Sequence, residues 1–330
     1  MAGNGAFSFA FGSVQGMNGK PEVSVVMSVY NGAADLAFTM DSILSQKDVE
    51  FEFIVVNDGS ADKTSKILDE YARHDDRVRV IHQENTGLTG ALIRGCAVAT
   101  GEFIARQDAG DVSLPGRLAA QLDVFRNNPT VVMTSCGTRL VGPHGEVLHE
   151  VCQTGDELQR GLQIGRIKHL KGPSHHTSAM FRRESFETVG GYRPQFKVAQ
   201  DLDLWVRLSE VGVCWATPAV LCVACLHKNS ISANRRREQI RSTKVIIKCA
   251  EARRSGCDDS LMITKWARQQ KWRDVFSWSP RRLQEARFYY FIGSLLRRRE
   301  PKQAQLYFWR AVGTWAAHPR AWYRILRASR

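Results

Sequence analysis

Acidic and amide side chains stand directly after three apolar segments in the first third of this 330-residue chain. Tyr30 and Asn31 end the run VSVVMSVYN, Asp58 ends FEFIVVND, and Asp108 and Asp111 end GEFIARQDAGD. Any one cluster alone would be interpreted as a turn. Together they indicate a polar site in which carboxylate oxygens could hold a divalent cation beside a diphosphate.

Two further carboxylates, Asp201 and Asp203, stand at the start of the amphipathic segment AQDLDLWVRL, far downstream in the sequence. They could face the first group of carboxylates across a cleft. A carboxylate in that position can act as a general base that accepts the proton of an attacking hydroxyl. The alternative for either residue is to cap the helix or to pair with an arginine.

The elements that must position these side chains alternate between strands and helices. Short Val- and Ile-rich runs predict strands, and apolar residues at helical spacing lie between them. This alternation predicts an α/β fold with a mostly parallel sheet and helices on both faces. Ligands of such sheets bind at the carboxyl ends of the strands, where the polar clusters stand. The predicted strands are 23–30, 51–56, 78–81, 102–106, 131–141, 147–151 and 213–227, and helices are predicted at 88–98, 118–125 and from 184 and 201 onward.

The composition, 43% hydrophobic and 24% charged residues, is typical of a globular protein. No run of about 18 apolar residues predicts a transmembrane helix. Residues 1–20 lack a basic start followed by an apolar run, so we interpret them as a flexible leader and not as a secretory signal. The eight cysteines are scattered, and the pair Cys222 and Cys225 suggests buried thiols more than a zinc or redox site.

The net charge of +13 comes from the last third of the chain, where residues 235–330 contain 24 Lys and Arg against 7 Asp and Glu. Six of the eight Trp also lie there. Ala304, Phe308, Ala311 and Trp315 recur at helical spacing, which predicts a C-terminal helical appendage. Trp and Arg together favour contact with an anionic membrane surface. No nucleic-acid-binding module is recognisable, so nucleic acid is not expected as a partner.

Six segments occur in an order that resembles the family 2 glycosyltransferases, which have the GT-A fold and invert the anomeric centre. They are VSVVMSVYNG, FIVVNDGSADKT, NTGLTGALIRG, GEFIARQDAGDVSLPGRL, HHTSAMFRRESFETVGGY and AQDLDLWVRL. The resemblance extends over about residues 21–232. It implies a GT-A domain at 21–234, followed by the basic, Trp-rich helical region at 235–330.

The resemblance implies a role for each matching residue. Tyr30 and Asn31 would lie in the first donor-binding turn, Asp58 would hydrogen-bond the nucleotide base, and Asp108 would contact the ribose and diphosphate. Asp111 and His227 would approach the metal, His176 and Asp203 would lie on the acceptor side, and Asp201 would be the general base. Asp111 could equally be a helix N-cap, and both roles are compatible.

Two positions depart from the family pattern. Gly110 replaces the Asp that usually binds the metal, so either Asp111 takes over or metal binding is weak. Gln200 replaces the acidic residue that usually precedes the base.

The resulting expectation is an inverting transferase that uses Mg²⁺ or Mn²⁺ and moves a sugar from a UDP- or dTDP-sugar. Its acceptor would be a glycan or a lipid-linked molecule, and the protein would be cytoplasmic or peripheral on the inner face of the plasma membrane. The alternative, motivated by Gly110, is a catalytically silent nucleotide-sugar-binding or scaffold protein.

Overall fold

The computed structural model of the chain describes residues 19–163, 170–227, 235–276 and 281–328. Most of the leader predicted at 1–20, and residue 234 at the predicted domain boundary, therefore lie outside the described residues. The strands are β1 Val23–Val29, β2 Phe51–Asp58, β3 Val78–Gln83, β4 Phe103–Asp108, β5 Val112–Ser113, β6 Val131–Val141, β7 Val147–Val151, β8 Ala179–Arg182 and β9 Val213–Cys225. The helices are α1 Leu36–Leu44, α2 Thr64–His74, α3 Leu88–Ala97, α4 Arg117–Asn127, α5 Gly155–Gln163, a 3₁₀ turn His176–Ser178, α6 Arg183–Thr188, α7 Gln200–Leu208, α8 Arg236–Arg254, α9 Ser260–Phe276, α10 Arg281–Leu296, α11 Pro301–Thr314 and α12 Pro319–Ala328.

The first four strands form the parallel half of the sheet, in the order β3-β2-β1-β4. Val23 of β1 pairs with Phe51 of β2 on one side and with Phe103 of β4 on the other. Since both faces of β1 are buried, its apolar run is nearly continuous, as is expected for a central parallel strand. The predicted parallel sheet is confirmed.

The second half of the sheet continues with β8, β6, β9 and β5, and β7 pairs with β6. The strands β5, β7 and β8 run opposite to the other six, so the sheet is mostly parallel. Neither β5 nor β8 was predicted, because strands of two and four residues carry little periodic signal. The predicted strand at 213–227 ends two residues earlier, at Cys225.

Helices cover both faces of the sheet, as predicted. Val25 and Met27 of β1 face the core formed with α1, α2 and α4, whereas Val26 faces the core formed with α3, α5 and α7. This alternation is the consequence of the two-residue period of a strand. The two apolar layers hold the carboxyl ends of β1, β2 and β4 along one edge.

The C-terminal region is helical, as predicted, and its helices pack in two places. Ile246 and Ala250 of α8 and Trp266 of α9 are buried in the same core as α3, α5 and α7. Helices α10, α11 and α12 bury a separate cluster, which Leu148 and Leu226 extend into the sheet domain. The helix predicted through residue 315 ends at Thr314.

No helix within the described ranges is long and apolar enough to cross a membrane.

Candidate active site

The short strand β8 brings a histidine-containing turn to the carboxyl end of β4. The two strands are antiparallel, with Ala105 of β4 opposite Met180 of β8. The 3₁₀ turn His176–Ser178, which precedes β8, therefore lies beside the end of β4. There Thr177 Oγ1 accepts a hydrogen bond of 3.1 Å from the backbone N–H of Asp108.

Asp108 ends β4 and is bound by a buried arginine. Arg106 Nη2 donates to Asp108 Oδ1 at 2.9 Å, and the Arg106 side chain is fully buried. Burial raises the pKa of the Asp108 carboxyl, but the charge and the hydrogen bond of Arg106 lower it, and the net shift is downwards. Asp108 is therefore ionised at neutral pH, and 27% of its side chain remains exposed.

Asp111 is buried at the turn that follows β4. Its Oδ2 accepts a hydrogen bond from Thr177 Oγ1, and its Oδ1 accepts one of 3.1 Å from the backbone N–H of Cys225. His175 Nδ1 lies 3.1 Å from the same Oδ2. Burial lowers the pKa of His175, but the charge of Asp111 outweighs this effect and raises that pKa to about 9.

The ligand atoms of Asp108, Asp111 and His175 lie within 4.8 Å of one another. Two carboxylates and an imidazole are a donor set that suits Mn²⁺, and carboxylate oxygens suit Mg²⁺. The side chains present therefore fit a divalent cation, although Asp111 and His175 are paired with each other. Among the residues that the structure describes, no other group of three such ligands is as compact.

His176 is oriented for a structural role beside Asp108. Its Nε2 lies 3.2 Å from Arg106 Nε and 2.8 Å from Tyr192 Oη. Because a guanidinium N–H can only donate, Nε2 accepts and the ring proton resides on Nδ1, which lies 3.7 Å from Asp108 Oδ1. Burial and the charge of Arg106 lower the pKa of His176 to about 3, so the ring is neutral.

Asp58 closes the turn after β2 onto the loop before α3. Its Oδ1 accepts hydrogen bonds from Gln83 Nε2 and from the N–H and hydroxyl of Thr86, and its Oδ2 accepts one of 2.9 Å from the N–H of Gly87. A carboxylate offers about four acceptor sites. The hydrogen bonds from this loop occupy most of these acceptor sites, and only 2% of Asp58 is exposed.

Tyr30 and Asn31 form the turn after β1. Asn31 has a left-handed backbone, with φ of 52°, and its Oδ1 accepts a hydrogen bond of 2.8 Å from Ala61 N. This bond joins the turn to the one that follows β2. The neighbouring Tyr30 ring is 55% exposed, so it is free to stack against a ligand.

The two aspartates of α7 lie in different environments. Asp203 is buried, and its Oδ2 accepts a hydrogen bond of 2.6 Å from Arg207 Nη2. Asp201 is partly buried, and its Oδ1 accepts one of 2.8 Å from Leu202 N. Burial raises the pKa of Asp201, and the nearby charge of Asp108 adds to this effect. Asp203 thus has the arginine partner that was the alternative considered for it.

His227 stands across the turn from Gly110. Its Nε2 lies 3.8 Å from Asp35 Oδ2. A Cβ added at Gly110 would lie 3.3 Å from the same nitrogen, and Gly110 has a φ of +94°. His227 therefore faces the position at which the sequence departs from the family pattern.

The sequence did not predict His175 as a possible metal ligand, and it did not single out three further residues of the site. Arg106, Arg117 and Thr177 are buried and hold the turn after β4 against the 3₁₀ turn. Arg117 Nη1 donates to the carbonyls of Arg106, at 3.0 Å, and of Thr177. Arg106 stands inside an otherwise apolar strand, and this is the signal that could have identified it. An arginine is almost never fully buried without partners, so its position predicts polar groups around it.

The profile of the family described as "Glycosyl transferase family 2" matches residues 24–190. The chain is 33% identical over 200 residues to EpsE of Bacillus subtilis, named as a glycosyltransferase, and the match covers 59% of this chain and 69% of that protein. It is 31% identical over 187 residues to the O-antigen biosynthesis glycosyltransferase WbnJ of Escherichia coli, over 56% of this chain and 71% of that one. A glycosyltransferase of Rickettsia felis is 27% identical over 63% of this chain, but the match covers only 34% of its own length.

Solved structures share the fold at low identity. Mannosyltransferase PcManGT of Pyrobaculum calidifontis, in complex with GDP-Man and Mn²⁺, superposes with a TM-score of 0.55 at 19% identity, over 93% of this chain and 84% of that one. S. aureus TarS in complex with UDP gives a TM-score of 0.52 at 15% identity, over 89% of each chain. These neighbours are glycosyltransferases of the GT-A fold, as the sequence motifs predicted. The family match spans half of the chain and includes the strand ends that carry Asn31, Asp58 and Asp108, so the protein belongs to glycosyl transferase family 2.

Proposed function

We propose that this glycosyltransferase moves a sugar from a UDP- or dTDP-sugar to a glycan or lipid-linked acceptor with inversion of the anomeric configuration. Asp201 would be the general base. The main support for this proposal is the contrast between the carboxylates at the edge of the sheet and the carboxylate on α7. Asp108 and Asp111 form a cation-binding cluster with His175 at the edge of the sheet, whereas Asp201 has a raised pKa and no arginine partner among the described residues. Direct displacement needs this pair of functions.

The donor would bind along the carboxyl edge of β1, β2 and β4. The exposed ring of Tyr30 suits stacking on the base, and Asn31 and Asp58 hold the two turns that border it. Asp108 keeps an exposed carboxylate for the ribose or the diphosphate. UDP is bound by TarS and GDP-Man by PcManGT, so a nucleoside diphosphate fits this type of edge.

A divalent cation, Mg²⁺ or Mn²⁺, would be held by Asp111 with Asp108 and His175, and His227 would approach it from the opposite side of the turn. When bound, it supplies positive charge that stabilises the departing diphosphate. Asp111 and His175 would have to exchange their mutual contact for the cation, and His175 would release its proton. The chain's own residues hold the turn rigid, because Arg106 and Arg117 are buried on both sides of it.

Asp201 would accept the proton of the acceptor hydroxyl. Its raised pKa brings it closer to the working pH, which improves a general base. The acceptor would be a glycan in polysaccharide or glycoconjugate synthesis, as the name of the relative WbnJ suggests for that enzyme. We further propose that the protein is cytoplasmic and that its basic C-terminal helices contact the inner face of the membrane.

One observation favours a second candidate, a protein that binds nucleotide sugars without catalysis. Gly110 provides no ligand at the position that faces His227, so the cation has one carboxylate fewer than in the family pattern.

The test is donor turnover by the purified full-length chain. UDP-, dTDP- and GDP-sugars are supplied in turn with Mg²⁺ or Mn²⁺, and the release of nucleoside diphosphate is followed with and without glycan acceptors. The proposal expects release with at least one uridine or thymidine donor and loss of release in Asp201→Asn. Donor binding without release under any condition would favour the silent alternative. Release that Asp201→Asn leaves intact would refute the base.

A further inference from the structure

Two Leu and two Trp side chains lie exposed on the last two helices. Leu306 and Trp309 of α11 are 62% and 48% exposed, and Trp322 and Leu326 of α12 are 39% and 64% exposed. They are not needed for the core, because both helices bury other residues. Those residues are Ala304, Tyr307, Phe308, Ala311 and Val312 of α11, and Ala321 and Ile325 of α12.

The four side chains form one surface, which we call the outer face. Leu306 and Trp309 are three residues apart, and Trp322 and Leu326 are four apart, so each pair lies on one side of its helix. The rings of Trp309 and Trp322 meet with their centroids 5.8 Å apart, and this contact joins the two pairs. Trp322 Nε1 donates to the carbonyl of Ala316 at 2.7 Å, which fixes the ring in the surface.

Residues 301–330, which include both helices, contain six Lys and Arg and no Asp or Glu. Lys302 and Arg310 are exposed and lie one helical turn before and after Leu306, on the same side of α11. Arg310 contacts His144 Nε2 at 3.1 Å, and no salt bridge involves either basic residue in the part of the chain that the structure describes. Their positive charge is therefore available to an anionic partner.

The outer face is attached to the same edge of the sheet as the candidate active site. Tyr307 of α11 hydrogen-bonds Glu146, and Arg310 contacts His144, in the hairpin that joins β6 to β7. This hairpin follows Val141, the last residue of β6, which pairs with Cys225. The N–H of Cys225 in turn binds Asp111, so the hairpin lies at the carboxyl edge.

We propose that the outer face of α11 and α12 is a docking surface for an anionic lipid membrane. The Leu and Trp side chains would enter the boundary between head groups and acyl chains, and Lys302 and Arg310 would contact lipid phosphates. Aliphatic Leu beside Trp and Arg is typical of helices that lie in a membrane interface. Nucleic acid is less suited, because Leu306 and Leu326 offer neither stacking nor hydrogen bonds to it.

Docking of this face would bring the carboxyl edge of the sheet towards the membrane. The proposal thus gives a physical reason for a lipid-linked acceptor, and in that respect it rests on the proposed function. Docking itself requires no catalysis. Its test therefore uses no sugar donor, and its failure would leave the transferase proposal intact.

The test is co-sedimentation of the full-length protein with vesicles of phosphatidylcholine alone, or with about one third phosphatidylserine, at low and high salt. We expect binding to the anionic vesicles only, and weaker binding at high salt because exposed charges are screened. Leu306→Gln with Leu326→Gln is expected to weaken binding at least about ten-fold, since both side chains would enter the interface. Leu261→Gln is the matched control, because Leu261 is 82% exposed on α9, away from the outer face.

A second pair of double variants tests whether binding depends on the basic residues of the outer face or on the net charge of the whole protein. Lys302→Gln with Arg310→Gln is expected to weaken binding more than ten-fold, at about five-fold per basic residue near the surface. Lys47→Gln with Lys66→Gln removes the same charge from exposed positions near α1 and on α2 and should have little effect. Equal binding to neutral vesicles, no binding to either kind, or equal losses in variants and controls would overturn the proposal. Binding to single-stranded DNA through the same basic residues, without vesicle binding, would also overturn it.

Discussion

Replacing each of the two aspartates of α7 by asparagine should produce opposite patterns of activity and stability. Asp201 and Asp203 are two residues apart on one helix, but only Asp203 pairs with Arg207. The pKa of Asp201 is raised, so its ionised form is less favourable in the folded protein than in the unfolded chain. The stability that protonation of Asp201 provides is present at low pH and is lost as the pH rises through its pKa.

The magnitudes follow from these environments. Asp201→Asn removes the unfavourable charge at neutral pH and keeps an oxygen to accept the hydrogen bond of 2.8 Å from Leu202 N. Its unfolding free energy should therefore not decrease, while turnover should fall about 10²–10⁴-fold through loss of the general base. Asp203→Asn removes one partner of an ion pair whose side chains are 1% and 3% exposed. This change should cost about 3 kcal/mol, at the lower end for a broken buried pair, because Arg207 also donates to the carbonyl of Val189.

The assay combines two measurements on each purified variant. Release of nucleoside diphosphate gives kcat and KM, and thermal unfolding at pH 7 gives Tm. For a chain of 330 residues, about 3 kcal/mol corresponds to a decrease in Tm of roughly 4 °C for Asp203→Asn. Asp201→Asn should keep or raise the wild-type Tm and bind UDP as the wild type does.

Two results would refute this reasoning. Wild-type turnover in Asp201→Asn would remove the residue from the reaction. A loss of stability in Asp201→Asn as large as that in Asp203→Asn would mean that Asp201 holds the fold, and its loss of activity could not then be assigned to proton transfer.

Three further predictions concern the pH dependence, the metal and the loop before α3. Because a general base works deprotonated and the pKa of Asp201 is raised, kcat/KM should rise with pH through a pKa above 3.8; initial rates that are flat from pH 4 to 7 would contradict this. Titration calorimetry should detect little Mn²⁺ binding to the protein alone and clear binding once UDP is present. Asp111→Ala should strongly weaken the Mn²⁺ binding that depends on UDP. Tight Mn²⁺ binding without nucleotide would contradict this prediction, because it would reveal a preformed site. Asp58→Ala should remove the acceptor of the part-buried hydrogen bonds from Thr86 and Gly87, so it should lower the unfolding free energy by about 1 kcal/mol and weaken UDP binding. Denaturant unfolding and calorimetry would measure the two effects.

The departure at Gly110 can be understood from the geometry around it. Its φ of +94° lies in the region that glycine enters at little steric cost. Thr39 Oγ1 accepts a hydrogen bond of 3.0 Å from its N–H, so the turn after β4 is held without an acidic side chain. His175, which approaches Asp111, offers a third ligand in the place of the missing carboxylate.

The sequence by itself determined the elements whose signals are local. The Val-rich run before Tyr30 predicted β1, because a strand buried on both faces must be apolar almost throughout. The turn residues at Asn57-Asp58 and Asp108-Asp111 predicted where the strands end. In a parallel sheet those ends share one edge, so the positions of Asn31, Asp58 and Asp108 followed without knowledge of any contact.

Only the tertiary structure decided which distant segments meet at that edge. The four-residue strand β8 carries little periodic signal, yet its antiparallel place beside β4 is what brings His175 and Thr177 to Asp111. Arg207 lies one helical turn beyond Asp203, which the sequence allows, but only the folded core shows that this pair is buried whereas Asp201 lacks such a partner among the described residues. Strand neighbours and buried ion pairs depend on the packing of residues far apart in the chain, and no local pattern encodes that packing.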